Sequence, residues 1–263
     1  MTNPHGEFVW YELMTPDADG ASAFYGALLG WTFAPSQQPD MDYRIFSAGS
    51  EQIGGLLALT PQMQEGGAHP AWLGYIAVDD VDAAITSIKA AGGAVHMDPH
   101  DIPGTGRFAL VADPQGVAFY IMQDISGETS HAFAADEPRV GHCAWNELST
   151  TDQPGAMAFY TQQFGWMKDG EMDMGAMGSY EFLRHGSVIG AMMTKPPEMP
   201  VACWSYYFRV ADIDAAAAQV TAHGGQVLFG PSEVPGGDFI ISGLDPQGAM
   251  FNLVGARAEA KAS

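Results

Sequence analysis

The chain has 263 residues, of which 31 are acidic and 10 are basic, so its formal net charge is −21 at pH 7. This charge repels phosphate backbones and anionic membranes, which argues against nucleic acid as a partner. No apolar run approaches the roughly 20 residues needed to cross a bilayer, and the first residues lack a signal-peptide pattern. With only Cys143 and Cys203 as thiols, the sequence predicts an acidic cytoplasmic protein whose cysteines are buried and reduced.

The sequence repeats itself. The segment from Gly6 to Trp31 recurs from Gly141 to Trp166, and later matches follow at an offset of 132, among them the D-P-Q-G segments at 113–116 and 245–248. Self-similarity over so long a period indicates one folding unit built twice. We therefore predict a first domain at 5–123, a polar linker at 124–139, a second domain at 140–255 and a frayed tail at 256–263.

The predicted elements of the first repeat follow from periodicity and from turn residues. A strand over 8–14 precedes a helix that begins with Thr15 as N-cap and ends at Gly30, and three strands follow at 32–34, 43–47 and 53–60. A second module contains a strand at 72–78, a helix from Asp80 to Gly92, and strands at 94–97, 108–112 and 117–122. The unit is thus β-α-β-β-β, present four times in the chain, and the fold class is α+β. In the second repeat, the Met-rich segment 167–177 is predicted to be a loop.

Three motifs in order, each present twice, resemble a known superfamily. They are T-P-D-A-D-G-A-S-A-F-Y-G-A-L-L-G-W, V-D-D-V-D-A-A and D-P-Q-G, with counterparts T-T-D-Q-P-G-A-M-A-F-Y-T-Q-Q-F-G-W, V-A-D-I-D-A-A and D-P-Q-G. The chain resembles the vicinal oxygen chelate superfamily of glyoxalases, bleomycin-resistance proteins and extradiol dioxygenases, and more narrowly a tandem two-domain bacterial branch of it. The resemblance implies two domains of paired β-α-β-β-β modules, each with a cup-shaped mixed sheet that binds its ligand in the concave face.

The resemblance also implies positions for metal ligands, and these positions hold unsuitable residues. The first-strand position falls on Trp10 and Trp145, and the final-strand position falls on Tyr120 and Asn252. The position that opens the second module falls on Leu73 and Ser205. The resemblance implies His, Gln or Glu at such positions in metal-dependent members, which suits a divalent cation with open coordination sites. We therefore predict that the chain has no metal ligands and no cofactor. Because some members of the superfamily depend on a divalent metal, a bound metal stays an alternative.

Strand alternation predicts what lines the two cups, because every second side chain of a strand shares a face. Trp10 shares its face with Glu12, and Trp145 shares its face with Glu147. The other predicted ligand-binding residues are Tyr43, Tyr75, Tyr120, Tyr180, Ser205, Tyr207, Arg209 and Asn252. These are aromatic pockets with one carboxylate each, which suits a small planar or amphipathic organic ligand.

Glu12 and Glu147 are the candidate catalytic residues, and each has two interpretations. Either the carboxylate is a general base or orienting acceptor whose pKa is raised by apolar surroundings, or it is a structural group that is satisfied by backbone N–H groups of a neighbouring loop or lies at a solvated rim. Arg209 is similarly open: it pairs with Glu147 or it binds a substrate carboxylate.

Three functions remain open, since fold alone does not determine function. The first is metal-independent binding of a small hydrophobic or aromatic molecule, in the manner of bleomycin-resistance proteins. The second is a lyase, isomerase or hydroxylase-type enzyme that uses Glu12 or Glu147 as base. The third is a metal-dependent glyoxalase or dioxygenase. The expected partner is a small molecule, and the oligomeric state is left as monomer or homodimer.

Overall fold

The computed structural model of the protein describes residues 3–36, 38, 41–134 and 137–258. The elements of the first repeat, in chain order, are β1 (Phe8–Thr15), α1 (Ala18–Leu29), β2 (Thr32–Pro35), β3 (Tyr43–Ala48), β4 (Glu51–Ala58), α2 (Pro61–Glu65), β5 (Ala71–Ala77), α3 (Val81–Ala90), β6 (Ala94–Ile102), β7 (Gly106–Ala112) and β8 (Ala118–Asp124). Those of the second repeat are β9 (Cys143–Thr150), α4 (Gln153–Phe164), β10 (Met167–Asp173), β11 (Ser179–His185), β12 (Ser187–Thr194), β13 (Cys203–Val210), α5 (Ile213–Ala222), β14 (Gln226–Glu233), β15 (Phe239–Leu244) and β16 (Met250–Gly255). A 3-10 turn at Gly175–Met177 joins β10 to β11.

Each repeat has one mixed sheet of eight strands. The strand order is β2-β3-β4-β1-β5-β8-β7-β6 in the first and β10-β11-β12-β9-β13-β16-β15-β14 in the second. Pairs β1–β4 and β5–β8 are parallel, as are β9–β12 and β13–β16, while the hairpins within each module are antiparallel. The predicted α+β class and the β-α-β-β-β modules are therefore confirmed.

The compact units of the structure take one module from each repeat. Of the described residues, one unit comprises 3–10, 73–134 and 145–205, and the other comprises 11–36, 38, 41–72, 137–144 and 206–258. Helices α3 and α4 contact each other in the first unit, and α1 and α5 contact each other in the second. The repeats are thus units of sequence, whereas each unit of packing combines modules from both repeats.

A hydrogen-bond chain joins the two modules of the second unit. The indole Nε1 of Trp72 donates to the hydroxyl of Tyr25 (3.1 Å), which donates to Oδ2 of Asp245 (3.0 Å). The other carboxylate oxygen of Asp245 accepts from the backbone N–H groups of Gln247 and Ala249 in the D-P-Q-G turn. Burial raises the pKa of the Asp245 carboxyl, and burial together with the Asp245 charge raises the pKa of Tyr25.

The first unit contains the same chain from the opposite repeats. Trp204 Nε1 donates to the hydroxyl of Tyr160 (3.0 Å), which donates to Oδ2 of Asp113 (3.1 Å). The rings of Tyr160 and Trp166 stack with their centroids 5.2 Å apart, and Trp166 Nε1 donates to the carbonyl oxygen of Gly6 (2.8 Å). The repeated F-Y, G-W and D-P-Q-G motifs are therefore the residues that join modules from different repeats.

Two local predictions were wrong, and one short helix was missed. Helix α1 is capped by Asp17, whose carboxylate accepts from the Gly20 N–H, because Thr15 still pairs with Ala58 as the last residue of β1. The Met-rich segment forms strand β10, which pairs with β11 through backbone hydrogen bonds that do not depend on side-chain type. The short helix α2 was not predicted; it lies in the β4–β5 connection, which is longer than the β12–β13 connection.

Part of the predicted linker is packed. The hydroxyl of Ser130 donates to the carbonyl oxygen of Val9 (2.5 Å), and Ala132 is fully buried. The predicted tail and linker also include residues 259–263 and 135–136, which lie outside the described residues. Within the described part of the chain, every helix is too short or too polar to cross a membrane.

We predict that the Tyr160 hydroxyl stabilises its unit strongly. In Tyr160→Phe, Trp204 Nε1 loses its acceptor and Asp113 loses a donor. The free energy of unfolding should fall by about 2–4 kcal/mol, since each buried polar group left without a partner costs about 1–3 kcal/mol. Urea denaturation followed by circular dichroism measures this change.

The matched control is Thr86→Ala, which removes an exposed hydroxyl that donates within helix α3 to the Asp82 carbonyl oxygen. Its effect should stay within about 0.5 kcal/mol. Equal stability of Tyr160→Phe and wild type would contradict the structural role of the chain.

Candidate functional site

Trp145, Glu147 and Tyr180 form one hydrogen-bonded group, which we call the glutamate cluster. Trp145 Nε1 donates to the Tyr180 hydroxyl (2.8 Å), and that hydroxyl donates to Oε2 of Glu147 (2.7 Å). All three side chains are half-buried. The phenol is thus used as both acceptor and donor, and the carboxylate accepts a charge-assisted hydrogen bond. The three predicted residues are brought together.

The local fold explains why these residues meet. Strand β12 lies between β9 and β11, and Ala191 of β12 pairs with Glu147 on one side and with Phe182 on the other. The small side chain of Ala191 lies between the longer side chains of β9 and β11. Phe182 packs edge-on against both Trp145 (6.2 Å) and Tyr180 (5.8 Å), so the cluster has a third aromatic ring that strand alternation could have predicted.

Cys203 and Ser205 extend the cluster onto β13. Trp204 between them faces the opposite side, where its indole N–H bonds Tyr160, so the two flanking side chains share the other face. Burial raises the pKa of the Cys203 thiol, the hydrogen bond with Ser205 lowers it, and the negative charge of Glu147 raises it. Cys203 is a half-buried free thiol and Cys143 is a fully buried one.

The first repeat has a related arrangement around Glu12. Glu12 is only 3% exposed and pairs in register with Gly55 of β4. The hydroxyl of Tyr43 lies 1.9 Å from the position that a Cβ of Gly55 would take, so only glycine leaves room for this ring. Tyr43 therefore lies over the β4 residue next to Glu12. Trp10, the other predicted residue on β1, is half-buried.

The second module of the first repeat presents an aromatic face. The rings of Tyr75 on β5 and Tyr120 on β8 stack at 4.2 Å, as their parallel register dictates. Phe108 of β7 packs against both, and His100 lies at its outer edge (6.3 Å). Phe108 and His100 were not predicted for this face, although Phe108 lies in a predicted strand.

The second module of the second repeat presents a polar face, which we define as Tyr207, Arg209, Ser242 and Asn252. Tyr206 and Phe208 pack against Tyr11, so the odd-numbered residues of β13 point the other way. Asn252 pairs in register with Tyr207 and with Ser242, whose hydroxyl donates to the Asn252 Oδ1 (2.7 Å).

Arg209 forms an ion pair that neither sequence interpretation included. Its Nη2 and Nη1 donate to the two carboxylate oxygens of Asp238 (2.5 and 3.4 Å). Asp238 lies in the turn between β14 and β15, where no periodic pattern identified it. The pair is partly buried, with side-chain exposures of 18% and 30%.

The residues at the implied metal positions do not fit a divalent cation. Trp145 offers only an N–H donor, which Tyr180 occupies, and Asn252 already accepts from Ser242. Across residues 3–36, 38, 41–134 and 137–258, no three His, Cys, Asp or Glu side chains are grouped to share a metal ion. The donor set therefore differs from the N/O-rich sets that hold divalent metals in open catalytic sites.

Comparison with known proteins identifies the family. The family model described as "Glyoxalase/Bleomycin resistance protein/Dioxygenase superfamily" matches residues 7–121 and again 139–253. The chain belongs to this superfamily. The resemblance seen in the sequence motifs and the tandem arrangement are both confirmed.

Similar members of this superfamily include two curated proteins and one solved structure. CFP32 of Mycobacterium tuberculosis, which carries a provisional glyoxylase name, is 34% identical over 93% of each chain. The anthracycline biosynthesis protein DnrV of Streptomyces peucetius is 30% identical over 96% of this chain and 94% of its own. The Mn(II)-bound glyoxalase of Novosphingobium aromaticivorans is 18% identical, with a TM-score of 0.65 over 97% of this chain and 84% of its own, and this likeness shows the fold alone.

We predict that Glu147 suppresses the reactivity of Cys203. In Glu147→Gln the negative charge that raises the thiol pKa is gone, so the pKa should fall. Since the thiolate is the nucleophile, alkylation by iodoacetamide at about pH 8.5 should be faster than in wild type. Mass spectrometry of the labelled peptide measures the rate.

Ser205→Ala is the matched variant with the opposite expected effect, because it removes the hydrogen bond that lowers the pKa of Cys203. Its alkylation should be slower than that of wild type. Cys203→Ser should stay unlabelled, since Cys143 is fully buried. Unchanged alkylation rates in both Glu147→Gln and Ser205→Ala would contradict the described proximity of these side chains to Cys203.

Proposed function

We propose that the protein binds a small planar, hydrophobic or aromatic organic molecule and does so without a metal ion. The observation that carries this proposal is the glutamate cluster with Phe182, in which three half-buried rings surround one half-buried carboxylate. Aromatic rings gain most from stacking and edge-to-face contact with another flat ring, and the carboxylate can accept from a polar group at its edge.

Two further observations support an organic ligand. The aromatic face of the first repeat and the Tyr43 side chain beside Glu12 show that both repeats place rings near a carboxylate or near each other. DnrV is named for the biosynthesis of anthracyclines, which are planar aromatic molecules. Both point to a ligand recognised through its flat apolar surface.

The proposal without metal is supported by chemistry of the donor set. Trp145 and Asn252, which stand at implied metal positions, are engaged in hydrogen bonds to Tyr180 and Ser242. The ligand would then be held by ring contacts and hydrogen bonds instead of by coordination to a cation. Binding should not depend on added or removed divalent metal.

Fluorene, a flat apolar tricyclic probe, tests this proposal. We expect it to bind and to quench tryptophan fluorescence, and Phe182→Ala should weaken binding about tenfold, since aromatic contacts contribute about 1–1.5 kcal/mol. Ile125→Ala, which removes an exposed apolar side chain just after β8 (65% exposed), is the control and should leave binding unchanged.

The same titration separates metal-independent from metal-dependent binding. Protein dialysed against a chelator should bind fluorene with the affinity of untreated protein, and elemental analysis of untreated protein should find less than one metal ion per chain. Loss of binding after chelation, restored by one metal, would contradict the metal-free proposal, while absence of fluorene binding in every state would contradict the aromatic ligand.

A second candidate function is proton abstraction by Glu147, favoured by the hydrogen bonds that orient its carboxylate. The Tyr180 hydroxyl fixes Oε2, and the partners of Tyr180 fix the phenol in turn. A general base needs a positioned carboxylate within reach of the proton that it removes. The equivalent role for Glu12 has less support, because Glu12 is 3% exposed.

Hydrogen exchange into 1-indanone tests this candidate. In D₂O the Glu147 carboxylate would take a C2 proton to leave an enolate, which then regains a deuteron from the exchanged carboxyl group. We expect exchange, followed by NMR, to fall by about 10²-fold or more in Glu147→Gln, the typical contribution of a general base. Binding should be retained.

The control is Glu181→Gln, which changes a neighbouring glutamate that pairs with Lys168 on the surface. It should exchange like wild type. Equal exchange by wild type and Glu147→Gln would dismiss the base and leave the binding function alone.

A further inference from the structure

The polar face of the second repeat occupies the register positions of the aromatic face of the first. In the first repeat Tyr120 of β8 pairs with Tyr75 on one side and with Leu110 on the other. In the second repeat Asn252 of β16 pairs with Tyr207 and with Ser242 at the corresponding positions. The strand pairing is the same in both repeats. Tyr120 and Leu110 of the first repeat correspond to Asn252 and Ser242 of the second.

Asn252 is nine-tenths buried yet only half of its amide is used. The side chain is 4% exposed, and its Oδ1 accepts from the Ser242 hydroxyl (2.7 Å). The hydrogen bonds of the described residues include none from its amide nitrogen, and this nitrogen is not one of the fully buried polar atoms without a partner. The N–H is therefore accessible on this face and can donate to a bound acceptor. Alternation along β16 places this amide on the same face as Tyr207, opposite to the buried Phe251 and Leu253.

We propose that Asn252 is a specificity residue whose amide N–H donates to an oxygen acceptor of the ligand. The oxygen is that of a neutral carbonyl, because the charge of Arg209, one alternation step from Tyr207, is already balanced by Asp238, whose carboxylate accepts from both Nη atoms. Tyr207 on the neighbouring strand supplies a ring beside the amide. The ligand class is therefore a planar aromatic ketone or quinone.

This inference rests on the proposed binding of a planar organic molecule and concerns what the polar face, by itself, would recognise on such a molecule. The first repeat has no amide at this position, since Tyr120 stacks there on Tyr75. We therefore expect the two repeats to differ in the chemistry that they recognise: two stacked phenol rings in the first, and one ring with an amide donor in the second. Leu110 of the first repeat occupies the position of Ser242, and its side chain has no hydrogen-bonding group.

Three probes of nearly equal shape test the proposal: fluorene, 9-fluorenone, which adds a carbonyl acceptor, and 2-hydroxyfluorene, which adds a donor. We expect wild-type protein to bind 9-fluorenone about five- to tenfold more tightly than fluorene, the preference that one hydrogen bond gives. Difference infrared spectroscopy should show the carbonyl stretch of bound 9-fluorenone shifted to lower frequency.

Asn252→Leu should bind fluorene and 9-fluorenone equally and should lose the infrared shift. Asn252→Asp, whose carboxylate has no N–H, should lose both as well and serves if the leucine variant does not fold. Ile125→Ala, which removes an exposed apolar side chain just after β8 (65% exposed), should keep the preference and the shift.

The results separate the donor role of Asn252 from the proposed binding of aromatic molecules. Equal wild-type affinities for fluorene and 9-fluorenone, or a preference for 2-hydroxyfluorene, would overturn the donor role of Asn252 while leaving aromatic binding intact. Retention of the infrared shift in both Asn252 variants would also overturn it. Failure of all three probes to bind would overturn the proposed function itself.

Discussion

The structure depends on two buried hydrogen-bond chains of tryptophan, tyrosine and aspartate. In each chain a helix tyrosine, Tyr25 or Tyr160, links the indole of its own repeat to the aspartate of a turn in the other repeat. A buried carboxylate is stable only when its oxygens are satisfied, and here the turn backbone and the tyrosine satisfy them together. These bonds join the modules from different repeats that pack together in each unit.

This constraint explains which residues the repeats share and which they do not. The motif residues form the faces that the compact units bury, so changing one alone would leave a polar group without its partner. Residues on the opposite faces of the same strands take no part in these hydrogen bonds. There Tyr120 corresponds to Asn252, and the alanine at position 77 corresponds to Arg209. The shared tryptophan, tyrosine and aspartate residues of the two chains therefore report on folding, and the residues that differ on the opposite faces report on ligand chemistry.

The sequence predicts the strands, the helix ends at Gly30 and Asp80, and the alternation of faces, because these depend on neighbours within a few residues. It also predicts the aromatic and carboxylate composition of the glutamate cluster. It does not predict that Asp238 holds Arg209, that Tyr180 bridges Trp145 and Glu147, or that β10 is a strand. These features depend on turns and sheet pairings that bring distant residues together, and periodicity contains no information about such contacts.

The division of the compact units has a consequence for how the protein could diversify. A protein made of one repeat could form such units only by pairing two identical copies, and every substitution would then appear on both sides at once. Joining the repeats in one polypeptide removes that symmetry requirement. The first repeat can keep an aromatic strand face while the second acquires Asn252 and Arg209. The hydrogen-bond chains through Tyr25 and Tyr160 stay intact in both cases. Covalent duplication thus makes asymmetry possible within a frame that remains symmetric.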